Sequence, residues 1–188
     1  MVLPAPVKTT ASYDDLRALP PHLVGQIIDG ELYALPRPAT AHALAASALA
    51  SDLFDAFHRG RRGPGGWIVL VEPELHLDRD VLVPDLAAWR RTRMPTLPEA
   101  PALELAPDWC CEVLSPSTRA LDRVLKLRVY ARHRVPHLWY VDPEARSVEV
   151  LRLEGAHYAL VAAHVDDERV SAEPFNAVEL ELAPLWAR

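Results

Sequence analysis

Sulfur, lysine and long apolar runs are scarce in this chain, and each shortage removes a class of explanation. The only cysteines, Cys110 and Cys111, are adjacent within an apolar run. Neither a disulfide with each other nor a thiolate zinc site suits that spacing. No apolar stretch approaches the roughly 18 residues of a membrane span, and no signal-peptide pattern opens the sequence. The expectation is a cytoplasmic protein without a membrane partner. The glycine-rich segment 60–66, GRRGPGG, lacks the Lys-Ser/Thr ending of a phosphate-binding loop. There is no Gly-x-Ser-x-Gly elbow either, so a serine-hydrolase reading has nothing to rest on. Lysine occurs only at Lys8 and Lys126 among 20 basic residues, the rest being arginine.

What is present suits one globular domain. The 188 residues are 50% hydrophobic and 24% charged, and a chain of that length buries about 70% of its unfolded surface. The formal net charge of −6 argues against non-specific coating of nucleic acid, but not against a local basic cleft. Residues 1–11 read as an extended tail, and 12–188 as the domain. Ser12 reads as the N-cap of a short helix, 12–19, stopped by Pro20-Pro21. Asp29-Gly30 within 24–35 is a hairpin signal. Thr40 is expected to cap a helix over about 41–58, closing at Gly60. Apolar runs at 67–77 and 81–89 read as strands, and so does the short run 109–114, WCCEVL, whose composition suits a strand covered on both faces. A helix over about 118–134 ends before Pro136, and strands follow at 137–141, 147–153 and 157–164. The order predicts an α/β or α+β domain, a mixed β-sheet flanked by helices. The pentapeptide Leu-Glu-Leu-Ala-Pro at 103–107 and 180–184 is too short to indicate a duplication.

Two carboxylates stand where apolar residues are expected. Asp85 interrupts VLVPDLAAW and Glu112 interrupts WCCEVL. Side chains alternate along a strand, so Glu112 shares a face with Cys110 and Leu114. Burying an ionised carboxylate costs several kcal/mol unless a cation or donors compensate it. Pro84 cannot donate to a sheet ladder and marks a bulge or strand edge beside Asp85. Pairing with arginines, or a strand end reaching solvent, would equally explain both carboxylates. On the following helix, Asp122, Lys126, Tyr130 and His133 fall on one stripe, with Arg119 beside it, between apolar shoulders. Such a stripe points inward, which aims Lys126 at the sheet carrying Glu112. An exposed Asp122–Lys126 pair is the plainer alternative. Arg128 and Arg132 fall on the far, solvated side. Two carboxylates and a lysine suit metal-assisted phosphodiester hydrolysis.

These residues, read together, identify a resemblance. Val83-Pro84-Asp85, Glu112 through Thr118, Asp122, Lys126, Tyr130 and the segment Val135 to Pro143 closely resemble the Uma-two family. That family comprises bacterial restriction-endonuclease-like proteins of the PD-(D/E)XK nuclease superfamily. The resemblance runs from about residue 12 to 165 and includes Asp29-Gly30-Glu31-Leu32 and the stretch ending at His42. It implies a restriction-endonuclease-like fold, Mg²⁺ as cofactor with Mn²⁺ as substitute, and DNA as substrate. It makes Asp85 and Glu112 the metal-binding carboxylates. The residue two after Glu112 is Leu114 rather than lysine, so Lys126 takes the lysine's part. Glu31, His42, Glu74 and Tyr130 are outer-site candidates, although a solvated strand face or a helix N-terminus explains Glu31, His42 and Glu74 more readily.

Arg119 and Arg123 are candidates for DNA contact. With Lys126, Arg128, Arg132 and Arg134, and with Arg59, Arg61, Arg62, Arg90, Arg91 and Arg93, they form three basic clusters. Ringed around one cleft, these would make binding strongly salt-dependent. His133 and His137 have metal-like spacing, but Pro136 separates them. The sequence thus predicts a Mg²⁺-dependent endonuclease acting on DNA through Asp85, Glu112 and Lys126. Its rival is a nuclease fold kept as a non-catalytic module that binds DNA or a protein partner. A hydrolase of another phosphate ester ranks third. A homodimer would suit double-strand cleavage.

Overall fold

The computed structural model describes residues 2–187; Met1 and Arg188, at the outer ends of the expected tail and domain, lie outside the described residues. The architecture is α+β, with a six-stranded sheet as its centre. In chain order the strands are β1 (Lys8–Thr9), β2 (Leu23–Ile28), β3 (Glu31–Pro36), β4 (Trp67–Val71), β5 (Leu75–Leu77), β6 (Asp80–Leu82), β7 (Leu86–Arg90), β8 (Trp109–Val113), β9 (His137–Asp142), β10 (Ser147–Glu154), β11 (His157–Val165), β12 (Arg169–Val170) and β13 (Leu180–Glu181). The helices are α1 (Tyr13–Arg17), α2 (Thr40–Leu53) and α3 (Leu127–Arg132). The large sheet has the order β11-β10-β9-β8-β7-β4, and a five-stranded sheet has the order β1-β3-β2-β6-β5. Only β8 and β9 pair in parallel within the large sheet. A parallel pair needs a crossover, and the α3 segment supplies it.

Two cores form, one on each face of the large sheet. One packs α2 and the C-terminal segment against Trp109, Cys111 and Val113 of β8. There Phe175 sits 4.7–5.8 Å, centroid to centroid, from Phe57, Trp67, Trp109 and Trp139. The other core joins the small sheet and α3 to Cys110 and Leu114. The alternation expected for WCCEVL therefore holds, and all five residues of β8 are buried. Glu112 is the only charged side chain that β8 turns toward the second core.

Local chemistry explains most boundaries. Ser12 caps α1 and exchanges bonds with Asp15 in a capping box. Asp29 and Gly30 both have positive φ, 52° and 82°, as a two-residue hairpin requires. Part of the N-terminal tail extends the small sheet, with Lys8 opposite Leu32.

Three expectations change. Thr40 is not a cap: α2 begins on it, and Ala39 occupies the cap position without a side-chain bond. Neither apolar run is one strand: 67–77 divides into β4 and β5, and 81–89 into β6 and β7. Glu72 takes φ 47°, turning the chain so that β4 and β5 join different sheets. Finally, the helix expected over 118–134 is π-helical from Leu121 to Lys126 before α3 begins, and α2 similarly ends in a π-helical turn, Phe54–His58. Such segments are rare and concentrate at functional sites. Among the described residues, no helix is long and apolar enough to cross a membrane.

Candidate active site

Val83-Pro84-Asp85 breaks the chain between β6 and β7, as the proline predicts. Asp85 therefore stands at the start of β7, beside the end of β8. Its Oδ2 accepts from the Val113 N–H at 2.6 Å, which fixes the carboxylate against the strand carrying Glu112. The Glu72 N–H donates to the Asp85 carbonyl at 3.0 Å. From α2, His42 Nε2 lies 3.1 Å from Asp85 Oδ1.

Glu112 is 1% exposed, Asp122 2% and Lys126 3%. The inward stripe is real: Lys126 Nζ lies 2.8 Å from Glu112 Oε2 and 3.1 Å from Asp122 Oδ1. The ammonium also donates to the Val83 carbonyl at 3.3 Å. Tyr130 Oη donates to the other Glu112 oxygen at 2.5 Å. An exposed Asp122–Lys126 pair is ruled out by this burial.

The charge balance sets the proton affinities. Burial pushes the Glu112 carboxyl up; Lys126 opposes that, and Asp122 and Asp85 reinforce it, leaving a value of about 8. Asp122 is raised mainly by burial too, against the pull of Lys126. Burial alone would lower Lys126, but Asp122, Glu112 and Asp85 together hold it above the ordinary lysine value. The ammonium stays charged, while Glu112 and Asp122 retain protons more readily than ordinary carboxylates. For His42, burial lowers proton affinity, and its contact with Asp85 more than offsets that.

A cavity of about 60 Å³ opens among Asp85, Glu112, Asp122, Lys126, His42 and Glu72, with an apolar wall of Val24, Leu35, Pro36 and Pro38 from the small sheet and its exit. The cavity is large enough to hold ordered water beside the carboxylates.

The residues present fit a hard divalent cation. Their donors are carboxylate oxygens, they outnumber the single lysine, and buried His42 Nδ1 has no hydrogen-bond partner. Among the described residues no group of three or more His, Cys, Asp or Glu side chains is already gathered as a metal cage. Mg²⁺ needs no such cage; it is commonly held by one or two carboxylates and keeps several waters.

Of the outer candidates, His42 and Tyr130 join the site and two others do not. Glu31 accepts from Tyr33 Oη at 2.7 Å, away from the cavity. Glu74 is held on the small sheet by Tyr13 Oη and His76 Nε2, each at 2.7 Å. Its neighbour Glu72 lines the cavity instead. Gln26 and Thr118 also line the cavity, and nothing in their sequence context marked them.

The arginines are arranged differently from expectation. Arg123 grips Glu149 with both terminal nitrogens, at 2.9 and 2.8 Å, and lies over the Tyr140 ring. Arg119 lies 2.7 Å from Asp142 and 3.7 Å from Glu144. Both are thus committed to carboxylates within the chain, and neither lines the cavity. Arg132, expected on a solvated face, reaches buried Asp80 and also Asp29. The three basic clusters do not ring the carboxylates. Trp67 pairs with Arg90 at one end of β4–β7, and Val71 with Leu86 at the other. At about 3.4 Å per residue, the Arg90 end lies roughly 17 Å from Asp85. The loop carrying Arg59, Arg61 and Arg62 leads into that same far end.

The family model described as “Uma2: Putative restriction endonuclease” matches residues 13–184. A solved structure described as “a putative nuclease belonging to DUF820 from Anabaena variabilis” superposes with a TM-score of 0.75 at 21% identity, covering 94% of this chain and 98% of the other. At that identity the likeness concerns the fold. No curated protein matches the chain.

Proposed function

This chain belongs to the Uma2 family, and from that premise we propose that it is a Mg²⁺-dependent nuclease hydrolysing DNA phosphodiester bonds, with Asp85, Glu112 and Lys126 at its centre. The observation that carries the reading is the buried contact of Lys126 with Glu112 at 2.8 Å, on the strand whose next residue, Val113, anchors Asp85. A solitary structural ion pair does not need the surplus carboxylates that surround this one.

Asp85 and Glu112 would hold the cation, which when bound supplies charge neutralisation to the phosphate and a more acidic water. The chain's own groups have separable roles. Lys126, held protonated, serves as a fixed positive charge that orients water and stabilises developing negative charge; it is not a proton acceptor. Tyr130 fixes one Glu112 oxygen. His42 fixes Asp85 and leaves Nδ1 directed at no other protein group. The cavity beside these groups is small, about 60 Å³.

That small cavity favours the second reading, a nuclease fold retained as a non-catalytic binding module. One experiment separates them. Mg²⁺ or Mn²⁺ is titrated calorimetrically into wild type and the isosteric Asp85→Asn/Glu112→Gln variant, with plasmid cleavage followed on the same samples. The nuclease reading requires wild-type binding and metal-dependent nicking, both lost in the variant. Absence of metal binding at millimolar concentration gives the module reading the case.

A further inference from the structure

We propose that the end of the large sheet remote from the carboxylates anchors the phosphate backbone of a nucleic acid, through Arg59, Arg61, Arg62, Arg90 and Arg91. All five are exposed. The ion pairs of the described residues leave all five out, whereas Arg146, Arg152 and Arg169, also on the surface, each hold two carboxylates. In a chain of net charge −6, five unmatched guanidinium groups at one place leave a local positive field.

Two segments bring these arginines together. The π-helical turn Phe54–His58 that ends α2 delivers Arg59, and the loop 60–66 carries Arg61 and Arg62. Four of the chain's seven glycines lie in that loop, and two of them show why. A Cβ at Gly63 would come within 2.7–2.9 Å of Ala56, so the loop packs directly on the π-helical turn. Gly65 takes φ 66° and donates its N–H to the Ala56 carbonyl at 3.0 Å. The loop is thereby tied to the turn beneath it. The second segment is the end of β7, which supplies Arg90. Arg91 follows, and its N–H donates to the Gly66 carbonyl at 2.9 Å. Arg90 lies over the Trp67 ring, 4.4 Å from its centroid, and Arg59 over the Phe54 ring at 4.9 Å. A guanidinium held over a ring keeps in-plane N–H groups for phosphate oxygens. His58 senses both segments: burial first, then the charges of Arg91 and Arg59, lower its proton affinity.

Arg61 and Arg62 also border a groove with Asp52, Asp55, Glu179 and Glu181. Glu179 and Glu181 are taken by Arg169. The Asp52 carboxyl is raised, by burial and then by Glu181 and Asp55, which is the opposite of what a close arginine would do. No ion pair neutralises the loop from that side. A phosphodiester chain is the polyanion that this end fits. Arginine offers paired N–H donors that match two phosphate oxygens. The cluster stands at the opposite end of β4–β7 from Asp85, roughly 17 Å away. That is about five phosphates of one strand at ~3.4 Å each, so a strand anchored here reaches the carboxylates without an arginine in the cavity. The surface stands by itself, but naming a nucleic acid as its occupant rests on the nuclease reading of that site.

The test is fluorescence anisotropy with a labelled DNA strand and the corresponding duplex, without metal so that neither is cut, and with circular dichroism confirming the fold of each variant. Wild type is expected to bind at about 0.05 M salt and to weaken steeply toward about 0.2 M. Arg61→Ala/Arg62→Ala/Arg91→Ala should lower affinity at least about tenfold and reduce the salt slope by about 2–3. Arg146→Ala/Arg152→Ala/Arg169→Ala, which removes the same charge from paired positions, should change affinity less than about twofold. Calorimetric Mg²⁺ binding should be the same in the first variant as in wild type, because none of its residues lines the carboxylate cavity. A wild type that fails to bind DNA at low salt would overturn the proposal, and so would equal losses in the two triple variants. Displacement of the DNA by poly-glutamate or by phosphatidylserine vesicles at equal charge concentration would overturn nucleic acid as the occupant. DNA binding lost as expected in the first variant, from a wild type that never cleaves with metal, would uphold the anchor and refute the nuclease reading alone.

Discussion

Replacing Lys126 with methionine keeps the volume and apolar reach of the side chain but removes the ammonium that holds the site together. Lys126, Glu112 and Asp122 are each at most 3% exposed, so solvent screening cannot make good the loss. Breaking a buried pair by removing one partner typically costs about 3–5 kcal/mol, because the abandoned charge remains desolvated. With a urea slope of about 2 kcal/mol per molar, the midpoint should fall by roughly 2 M at pH 9. The sign with pH follows from the two groups. Glu112 is raised from its ordinary value to about 8, so its contribution to stability is full below about 4.5 and is lost as pH rises through about 8. Lys126 is also raised, so its contribution is intact up to the ordinary lysine range and is lost only above it. At pH 9 the variant must bury unpaired carboxylates; at pH 5.5 they take up protons, and the deficit should shrink to about 1–2 kcal/mol. Glu112→Gln, which removes the carboxylate rather than its partner, should stay within about 1 kcal/mol of wild type at pH 9. Adding Glu112→Gln to Lys126→Met should recover part of the loss. Urea unfolding of the four proteins at both pH values makes the comparison. A Lys126→Met variant as stable as wild type at pH 9, or one equally destabilised at both pH values, would refute the account of charge balance.

Calorimetric Mg²⁺ titrations at several pH values should show affinity rising toward pH 8, approaching tenfold per unit, with release of up to one proton per ion, because a cation must displace the proton that Glu112 holds below about 8. Arg132→Ala should lower stability by about 1–2 kcal/mol in urea, since Asp80 is 1% exposed and would keep only the Asp29 N–H among its present donors, while the arginine itself is 41% exposed. Arg123→Ala should change DNA affinity less than twofold in a filter-binding assay, because its charge is already committed to Glu149. A tenfold loss there would mean that DNA displaces Glu149.

The parts of this structure legible in the sequence were those fixed by local rules. Alternation placed Glu112 with Cys110 and Leu114, helical spacing turned Lys126 inward, and Pro84 marked the break beside Asp85. Glu72 was not legible as a site residue, because its position depends on the chain turning at positive φ between two sheets. Glu74, two residues away and equally acidic, points elsewhere for the same reason. The arginines show the converse problem. Counting charge in sequence gives clusters, but whether a charge is available depends on partners such as Glu149, Asp142 and Asp80, which come from distant segments.

Leu114 shows why the lysine of this site comes from a helix. On β8 it shares a face with Glu112 and is 3% exposed, packed into the core beneath α3. A lysine there would enter that core without a carboxylate of its own. At position 126 the ammonium arrives with Asp122 one turn before it on the same helix, so two carboxylates from different elements share its desolvation. The segment that delivers both is π-helical, Leu121–Lys126, a geometry that proteins seldom retain without functional cause. With the lysine on the helix the arrangement is tertiary rather than local: Asp85 is fixed by Val113, Glu112 by Lys126 and Tyr130, and the helix holds the three elements in register. If that is its purpose, restoring a lysine at Leu114 in a Lys126→Leu background should not rescue metal-dependent cleavage, and full rescue would show that the strand position serves equally well.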